Sequence, residues 1–287
     1  MRRRDRVLAL TALVACALTA GRTTVAAARS REGSANPFTT ASLRHYLAGR
    51  GGNITAAAYD VNTRRTYLYR PGVREETASI IKVDILATLL HERQRDGGLS
   101  SGQNGVAQGM IEASDNDDAT DLWNDEGGAG AVAGFDERAG MSQTTPNVDW
   151  GLTTTTPRDQ LMLLRLVMLP NHLLSKSSRD YEYELMRRVI PSEHWGVSAG
   201  VVPTATVALK NGWLPRPAGW QVNSIGQVTG SGRHYLLAVM TDEDPTEDYG
   251  IATIRRISVA VWRGLRNQTL FSLTPPSAGG VVAGRAR

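Results

Sequence analysis

Three short motifs place serines and lysines at spacings that suit acyl-transfer chemistry. They are Ser79-Ile80-Ile81-Lys82, Ser114-Asp115-Asn116 and Lys210-Asn211-Gly212. The chain has only three lysines against 29 arginines, and two of the three lie in these motifs. A guanidinium stays protonated near neutral pH, whereas a desolvated lysine amine can act as a base. The two lysines are therefore the first candidates for catalysis.

Ser79 and Lys82 are candidates for a nucleophile and its base. Residues three apart on a helix share one face, so the Lys82 amine could accept the proton of the Ser79 hydroxyl. Burial disfavours the charged form of an amine, which would make the neutral base accessible. The N–H groups at the start of a helix would stabilise an oxyanion formed at Ser79. The backbone N–H of Trp213 is a second candidate donor to that oxyanion.

The other two motifs supply groups that could assist this reaction. Ser114 could pass a proton to the leaving group, Asn116 could hold a substrate amide, and Lys210 could bind a substrate carboxylate. Each motif also has an ordinary structural interpretation. A serine at a helix start is often a cap, the residues of Ser-Asp-Asn favour turns, and Asn-Gly is a preferred hairpin turn. The combination of three motifs in this order favours the catalytic interpretation.

The elements that must position these motifs are predicted from the apolar pattern. The segment from Ala78 to Arg95 is apolar almost all round a helix, which predicts a buried helix with Ser79 at its N-terminus. From there to about Val189 the pattern is helical, and Thr156-Pro157-Arg158-Asp159 is typical of a helix start. The elements predicted nearer the two ends are helix 39–48, strands 53–60, 66–69, 204–210, 220–228 and 234–240, and helix 251–265.

Strands from both ends of the chain are expected to share one sheet. The predicted fold class is therefore α+β: an antiparallel sheet flanked by N- and C-terminal helices, with an inserted all-helical lobe. A cleft between the sheet and the lobe would bring together Ser79 at the start of the buried helix, Ser114 in a loop of the lobe and Lys210 at the end of a strand.

The ordered motifs S-x-x-K, S-D-N and K-x-G resemble those of class A β-lactamases and penicillin-binding serine hydrolases. The resemblance covers about residues 40 to 265. Thr153-Thr154-Thr155-Thr156-Pro157 resembles the segment after the omega loop of class A enzymes, and segments 210–215 and 220–224 resemble secreted actinobacterial serine hydrolases grouped with that family. The resemblance implies a two-lobed fold. It also implies Ser79 as nucleophile, Lys82 as general base, Ser114 as proton shuttle, Lys210 as anchor, and Asn116, Asn211, Gly212 and Trp213 as contacts to the substrate.

Two departures from the family pattern affect the expected shape and charge of the cleft. Ser79 and Ser114 are only 35 residues apart, which predicts a missing rim and an open cleft. Asn211 replaces the usual threonine or serine, and the following strand offers no arginine in the expected place. Arg216 and Arg233 are candidate substitutes that could contact a substrate carboxylate.

A third departure concerns deacylation. Class A enzymes use a glutamate of the omega loop to activate the hydrolytic water, but the stretch from Gly140 to Thr156 contains no glutamate. Its only acidic residue is Asp149, which we interpret as a loop residue that bonds local backbone. The acyl-enzyme is therefore expected to turn over slowly.

The expected function is that of an exported serine hydrolase acylated at Ser79 by β-lactam or related amide or ester substrates. The partner would be a small molecule or peptide with a carboxylate. Two alternatives stay open: a D-alanyl-D-alanine peptidase or esterase-type tailoring hydrolase, and a non-catalytic exported protein that binds a ligand with the same fold. No cofactor and no metal are expected, since the five histidines show no metal-ligand spacing.

The hydrolase domain is expected to span residues 36–270, between two terminal segments. An arginine-rich start, an apolar run from Val7 to about Ala20 and the alanines at 26–28 are typical of an export signal over residues 1–30. Cys16, after Leu13-Val14-Ala15, is either a lipid-attachment site or an incidental cysteine of the leader. Residues 271–287 are expected to form a flexible Pro- and Gly-rich tail. The expected location is secreted, or anchored by lipid to the outer face of the membrane.

The net charge of +4 is carried by the first 28 residues, which contain five arginines and one aspartate. The rest of the chain is therefore close to neutral. Without a basic patch, nucleic-acid binding is not expected. The remaining expectations are a monomer and a membrane contact only through a lipid on Cys16.

Overall fold

The computed structural model describes residues 35–265. The predicted leader at 1–30 and the predicted tail at 271–287 lie outside the described residues, so both stay predictions, as does lipid attachment at Cys16. In the part of the chain that is described, no helix has both the length and the apolar character needed to cross a membrane.

A five-stranded antiparallel sheet joins the two ends of the described chain. The strands are β1 Asn53–Asp60, β2 Arg65–Tyr69, β3 Glu75–Glu76, β4 Thr154–Thr155, β5 Thr206–Arg216, β6 Gly219–Gly230 and β7 Arg233–Asp244. The order in the large sheet is β2-β1-β7-β6-β5, and β3 pairs separately with β4. The N-terminal hairpin thus lies beside the last strand, with Ala57 opposite Ala238. The predicted sheet from distant segments is confirmed.

The two faces of this sheet enter two separate hydrophobic cores, because neighbouring residues of a strand point to opposite faces. In β1, Ala57 and Tyr59 belong to the core shared with the helical lobe. Ala56 and Ala58 belong to the core on the other side, with residues of the terminal helices. All four side chains are buried. Both faces are therefore covered.

Eight α-helices surround the sheet within residues 35–265. They are α1 Ala41–Ala48, α2 Ile81–Arg93, α3 Ser101–Glu112, α4 Asn116–Glu126, α5 Gly128–Ala139, α6 Pro157–Met168, α7 Lys176–Arg187 and α8 Glu247–Gly264. Every residue of α2 from Ile81 to Leu90 is buried, as its apolar pattern predicts. Helix α2 packs against α3, α4, α5 and α7 and forms the centre of the lobe, whereas α1 and α8 pack together near the sheet. The predicted fold class is confirmed.

Strand β5 is longer than predicted, and this changes the position of one motif. Lys210-Asn211-Gly212 lies in the middle of β5 rather than at its end. The interpretation of Asn211-Gly212 as a hairpin turn is wrong, because the turn into β6 comes at residues 217 and 218. Across the ladder, Asn211 pairs with Ser224 and Gly212 pairs with Asn223. A glycine inside a strand often marks a close approach of another backbone segment.

Four carboxyl side chains are buried in the helical lobe: Asp84 on α2, Glu126 on α4, Asp136 on α5 and Glu182 on α7. Burial is the main cause that raises the pKa of each, and it raises that of Glu126 to about 10. Asp84 and Asp136 also interact with each other, so they can share one proton. Among residues 35–265, no group of histidine, cysteine, aspartate and glutamate side chains is arranged to hold a metal ion.

These carboxyls make stability depend on pH. The pKa of Glu126 in the folded protein, about 10, lies far above its unfolded value of about 4.3. The contribution of Glu126 to the free energy of unfolding is therefore fully present below about pH 4.3 and is lost as the pH rises toward 10. We expect Glu126→Gln to match the wild type below about pH 4 and to be more stable by ~5 kcal/mol at pH 8. Thermal unfolding at both values measures this. The exposed Glu137→Gln is the control, and parallel pH curves for all three proteins would contradict the expectation.

Candidate active site

The turn that carries Ser79 leads directly into the central helix of the lobe. Ala78–Ile80 form a 3-10 turn immediately before α2, which confirms the predicted position of Ser79 at the start of the buried helix. Ala78 has a φ of 46°, a region that residues other than glycine rarely adopt. Such a conformation costs free energy and persists only where the surrounding structure enforces it.

Two residues that face each other across the β5–β6 ladder enforce this turn. The buried side chain of Asn223 donates hydrogen bonds of 2.9 Å to the carbonyls of Glu76 and Thr77. Its partner Gly212 lies so close to the turn that a Cβ at this position would stand 2.6 Å from the backbone nitrogen of Ser79. The sheet therefore fixes the backbone around Ser79 in two ways: the Asn223 side chain binds it, and Gly212, which has no side chain, allows β5 to approach it.

Ser114 connects the two motif lysines. The Lys82 Nζ donates to the Ser114 carbonyl at 2.6 Å, lies 3.4 Å from Ser114 Oγ and donates to Asn116 Oδ1 at 2.8 Å. The Lys210 Nζ donates to the same Ser114 Oγ at 2.7 Å. Both lysine side chains are fully buried. The structure thus brings residues of all three motifs into contact.

Burial lowers the pKa of both amines, and the charge of Lys210 lowers that of Lys82 further. For Lys82, burial is the largest cause and the charge of Lys210 the second, and together they lower the pKa to about 7. For Lys210, burial lowers the pKa to about 8, although the nearby Glu193 acts in the opposite direction. A neutral Lys82 amine is therefore accessible near neutral pH.

Each residue of the Ser114-Asp115-Asn116 motif has its own structural task. Ser114 lies between α3 and α4 with a φ of 58°, a second strained backbone position at the site. Asp115 caps α4, because its side chain accepts from the N–H of Asp118 at 3.0 Å. Asn116 is the first residue of α4 and reaches Lys82. The turn interpretation of this motif and the catalytic one are therefore compatible.

A cavity of about 430 Å³ opens beside Ser79. Asn116 and Trp213 lie in its wall with Ser79, and the Trp213 ring packs on that of Trp195 at 5.9 Å between centroids. The remaining lining residues come mainly from α4 and from the loop before β4; they are Ala78, Thr120, Trp123, Asn124, Val148, Asp149, Trp150, Gly151, Leu152 and Leu214.

Three residues considered for the substrate carboxylate are engaged outside this cavity wall. Asn211 is fully buried, and its amide donates to the carbonyl of Glu193 at 2.6 Å. Arg216 forms an ion pair with Glu76 at 3.0 Å. Arg233 donates to the carbonyl of Trp262 at 2.7 Å. In the described structure, neither candidate arginine substitutes for the missing family arginine in the cavity.

The sequence did not single out Trp150 or Asn223 as site residues. The Trp150 ring centroid lies 5.1 Å from the Lys82 Nζ, and its indole N–H donates to Thr120 Oγ1 at 3.2 Å. Asp149 lines the cavity with an exposed side chain, and its own N–H donates to Asn147 Oδ1 at 3.0 Å. The sequence offered one signal for Trp150, which is its position directly after Asp149, the only acidic residue of this loop.

The comparison with protein families identifies the chain. A model described as "Beta-lactamase enzyme family" matches residues 103–265, more than half of the sequence. The chain belongs to the beta-lactamase enzyme family. The matched region includes Ser114 and Lys210 but begins after Ser79 and Lys82, so the assignment does not depend on the first motif.

Solved structures show the same fold. A class A β-lactamase from Mycobacterium abscessus superposes with a TM-score of 0.69 at 23% identity and covers 77% of this chain and 97% of its own. A class A β-lactamase reconstructed as the last common ancestor of Gram-negative bacteria gives a TM-score of 0.68 at 22% identity, with 77% and 97% covered. The fold is that of class A β-lactamases. A search of curated proteins found no match.

The close contact at Gly212 can be tested by adding one methyl group. Gly212→Ala must displace the backbone of Ser79, and a misplacement near 1 Å costs about 100-fold in reactivity. We therefore expect a fluorophosphonate to label Gly212→Ala about 100-fold more slowly than the wild type. Gly130→Ala is the control, because a Cβ there meets nothing within 4 Å, so the labelling rate should stay unchanged. Equal rates in both variants would contradict the proposed contact.

Proposed function

We propose that the protein is an exported serine hydrolase that reacts through an acyl-enzyme at Ser79. The observation that carries this proposal is the contact of Ser114 with two buried lysines beside a cavity lined by Ser79. Membership of the beta-lactamase enzyme family supports the reaction class. The arginine-rich and apolar pattern of residues 1–30 supports export.

Acylation needs a base, and Lys82 is suited to this role because its pKa is lowered to about 7. The Ser79 Oγ would bond to the carbonyl carbon of an ester or amide while its proton passes to the neutral Lys82 amine. The proton would then move through Ser114 Oγ to the departing alkoxide or amine. Ser114 Oγ lies within 3.4 Å of Lys82 and 2.7 Å of Lys210, which supports this route.

The developing oxyanion needs hydrogen-bond donors at the same place. The backbone N–H groups of Ser79 and Trp213 are the candidates, as the family pattern implies. The approach of Gly212 to the backbone nitrogen of Ser79 supports this assignment, because it brings β5 next to the nucleophile turn. A side chain larger than hydrogen at position 212 would separate the two donors.

The acyl-enzyme is proposed to persist. Of the residues that line the described cavity, Asp149 alone carries a carboxyl group, and its side chain is exposed. Trp150 covers Lys82 and has no group that could accept a proton from water, since an indole N–H only donates. Deacylation therefore lacks the base that acylation has.

The first prediction is a lasting adduct on Ser79. The purified protein is incubated separately with benzylpenicillin and with p-nitrophenyl phenylacetate, and intact mass is followed over hours. We expect the wild type to gain one acyl group from at least one donor and to retain it for many minutes, and Ser79→Ala to gain none. Asp149→Asn should leave the lifetime unchanged. A short-lived adduct would contradict slow deacylation, and no adduct with either donor would contradict the function.

The second prediction concerns the pH dependence of acylation. The neutral form of Lys82 is the base, so the acylation rate should rise with pH and reach half its maximum near pH 7. Lys210→Met removes the positive charge that lowers the pKa of Lys82, so the midpoint should move to higher pH. Intact mass at fixed times from pH 5 to 9 measures both profiles. The exposed Lys176→Met is the matched control, and an unmoved midpoint in Lys210→Met would contradict the coupling.

A further inference from the structure

The wall of the cavity beside Ser79 is rich in apolar surface. Trp123, Trp150 and Trp213 line it, with leucines from two different segments. Val148 at its edge is 81% exposed, the largest exposure of any bulky apolar side chain in residues 35–265. Aromatic and aliphatic walls of this kind bind apolar ligand groups. The cavity is therefore suited to an aromatic or branched apolar group on the substrate.

The same wall presents no basic side chain among the described residues. Lys82 and Lys210 are fully buried behind Ser114, where they donate to protein oxygens. The arginines considered for this role, Arg216 and Arg233, are engaged with Glu76 and with the carbonyl of Trp262. A substrate carboxylate entering this cavity would lose water without gaining an accessible cationic partner.

The edge of the cavity is acidic instead. Asp149 is part of the lining. On α4, the lining residue Asn116 is followed directly by the exposed Asp117. Residues 115–118, at the start of α4, contain three aspartates and no basic residue. The local charge therefore opposes an anionic ligand.

We propose that this site selects acyl donors that carry an aromatic or bulky apolar group and no negative charge. This inference rests on the proposed acylation of Ser79 and names its substrate class. In the ester case, Ser79 Oγ bonds to the acyl carbon, the bond from that carbon to the leaving oxygen breaks, and the serine proton ends on the released alcohol. The proposal departs from the expectation of a carboxylate-bearing substrate and favours the esterase-type alternative.

The test uses four p-nitrophenyl esters with the full chain. They are the acetate, the phenylacetate, the 4-carboxyphenylacetate and the 4-(aminomethyl)phenylacetate. The last three share the phenylacetyl core, and their para substituents are neutral, anionic and cationic; the two charged substituents are of similar size. We expect the second-order rate of acylation for the phenylacetate to exceed that for the acetate after correction for intrinsic hydrolysis. The carboxyphenylacetate should react about fivefold more slowly than the phenylacetate, and the aminomethyl ester at least as fast.

Variants and salt separate charge from shape. Asp149→Asn should reduce the difference between the acylation rates of the anionic and cationic esters. Asp96→Asn, beyond the end of α2 that is far from Ser79, should leave this difference unchanged. Because salt screens exposed charges, the difference between these two acylation rates should also decrease at high ionic strength. Trp213→Ala should reduce the preference for the phenylacetate over the acetate.

The outcomes distinguish the two proposals. Acylation of Ser79 by all four esters at similar corrected rates, or fastest by the carboxyphenylacetate, would overturn the substrate class and leave the acyl-enzyme intact. An absence of adduct with every ester and with benzylpenicillin would overturn the proposed function itself. A charge preference that Asp149→Asn does not change and salt does not reduce would overturn the role of the acidic edge.

Discussion

The site depends on one constraint: two lysine amines are buried around a single serine. Ser114 Oγ lies 2.7 Å from the Lys210 Nζ and 3.4 Å from the Lys82 Nζ. Two ammonium groups in a dry interior repel each other, so the pair tends to lose one proton near neutral pH. The lower pKa belongs to Lys82. The charge of Lys210 therefore helps to make Lys82 a base. The strained backbone of Ser114 is maintained by the contacts that this arrangement provides.

The sheet positions the turn that carries Ser79, the proposed nucleophile. β5 and β6 are distant from α2 in sequence, yet one pair across their ladder, Gly212 and Asn223, contacts the turn before α2. The amide of Asn223 satisfies two carbonyls that precede Ser79, and Gly212 allows the backbones to approach. Packing and the proposed catalysis depend on the same contacts, since the sheet that covers the helical lobe also determines where Ser79 lies.

The local sequence predicted the elements better than the contacts between them. The all-round apolar pattern predicted α2, because that pattern reflects burial of the helix itself. The expected cleft between sheet and lobe predicted that Ser79, Ser114 and Lys210 meet, and the structure brings Ser114 and Lys210 into contact. Asn223 was not predicted, because the residue it holds, Glu76, is 147 positions away. The extent of β5 was missed because pairing with β6 overrides the turn preference of Asn211-Gly212.

In the proposed reaction, Trp150 affects both the reactivity of Lys82 and the lifetime of the acyl-enzyme. Its ring lies 5.1 Å from the Lys82 Nζ, so it contributes to excluding water from the amine. Exclusion of water favours the neutral amine and therefore acylation. The same exclusion removes the water that a base would have to activate for hydrolysis, and the indole offers no proton acceptor in its place. One side chain thus favours the first half of the reaction at the expense of the second. The same cavity wall disfavours an anionic substrate for a related reason, because a carboxylate that enters it would lose water without gaining a cationic partner among the lining residues.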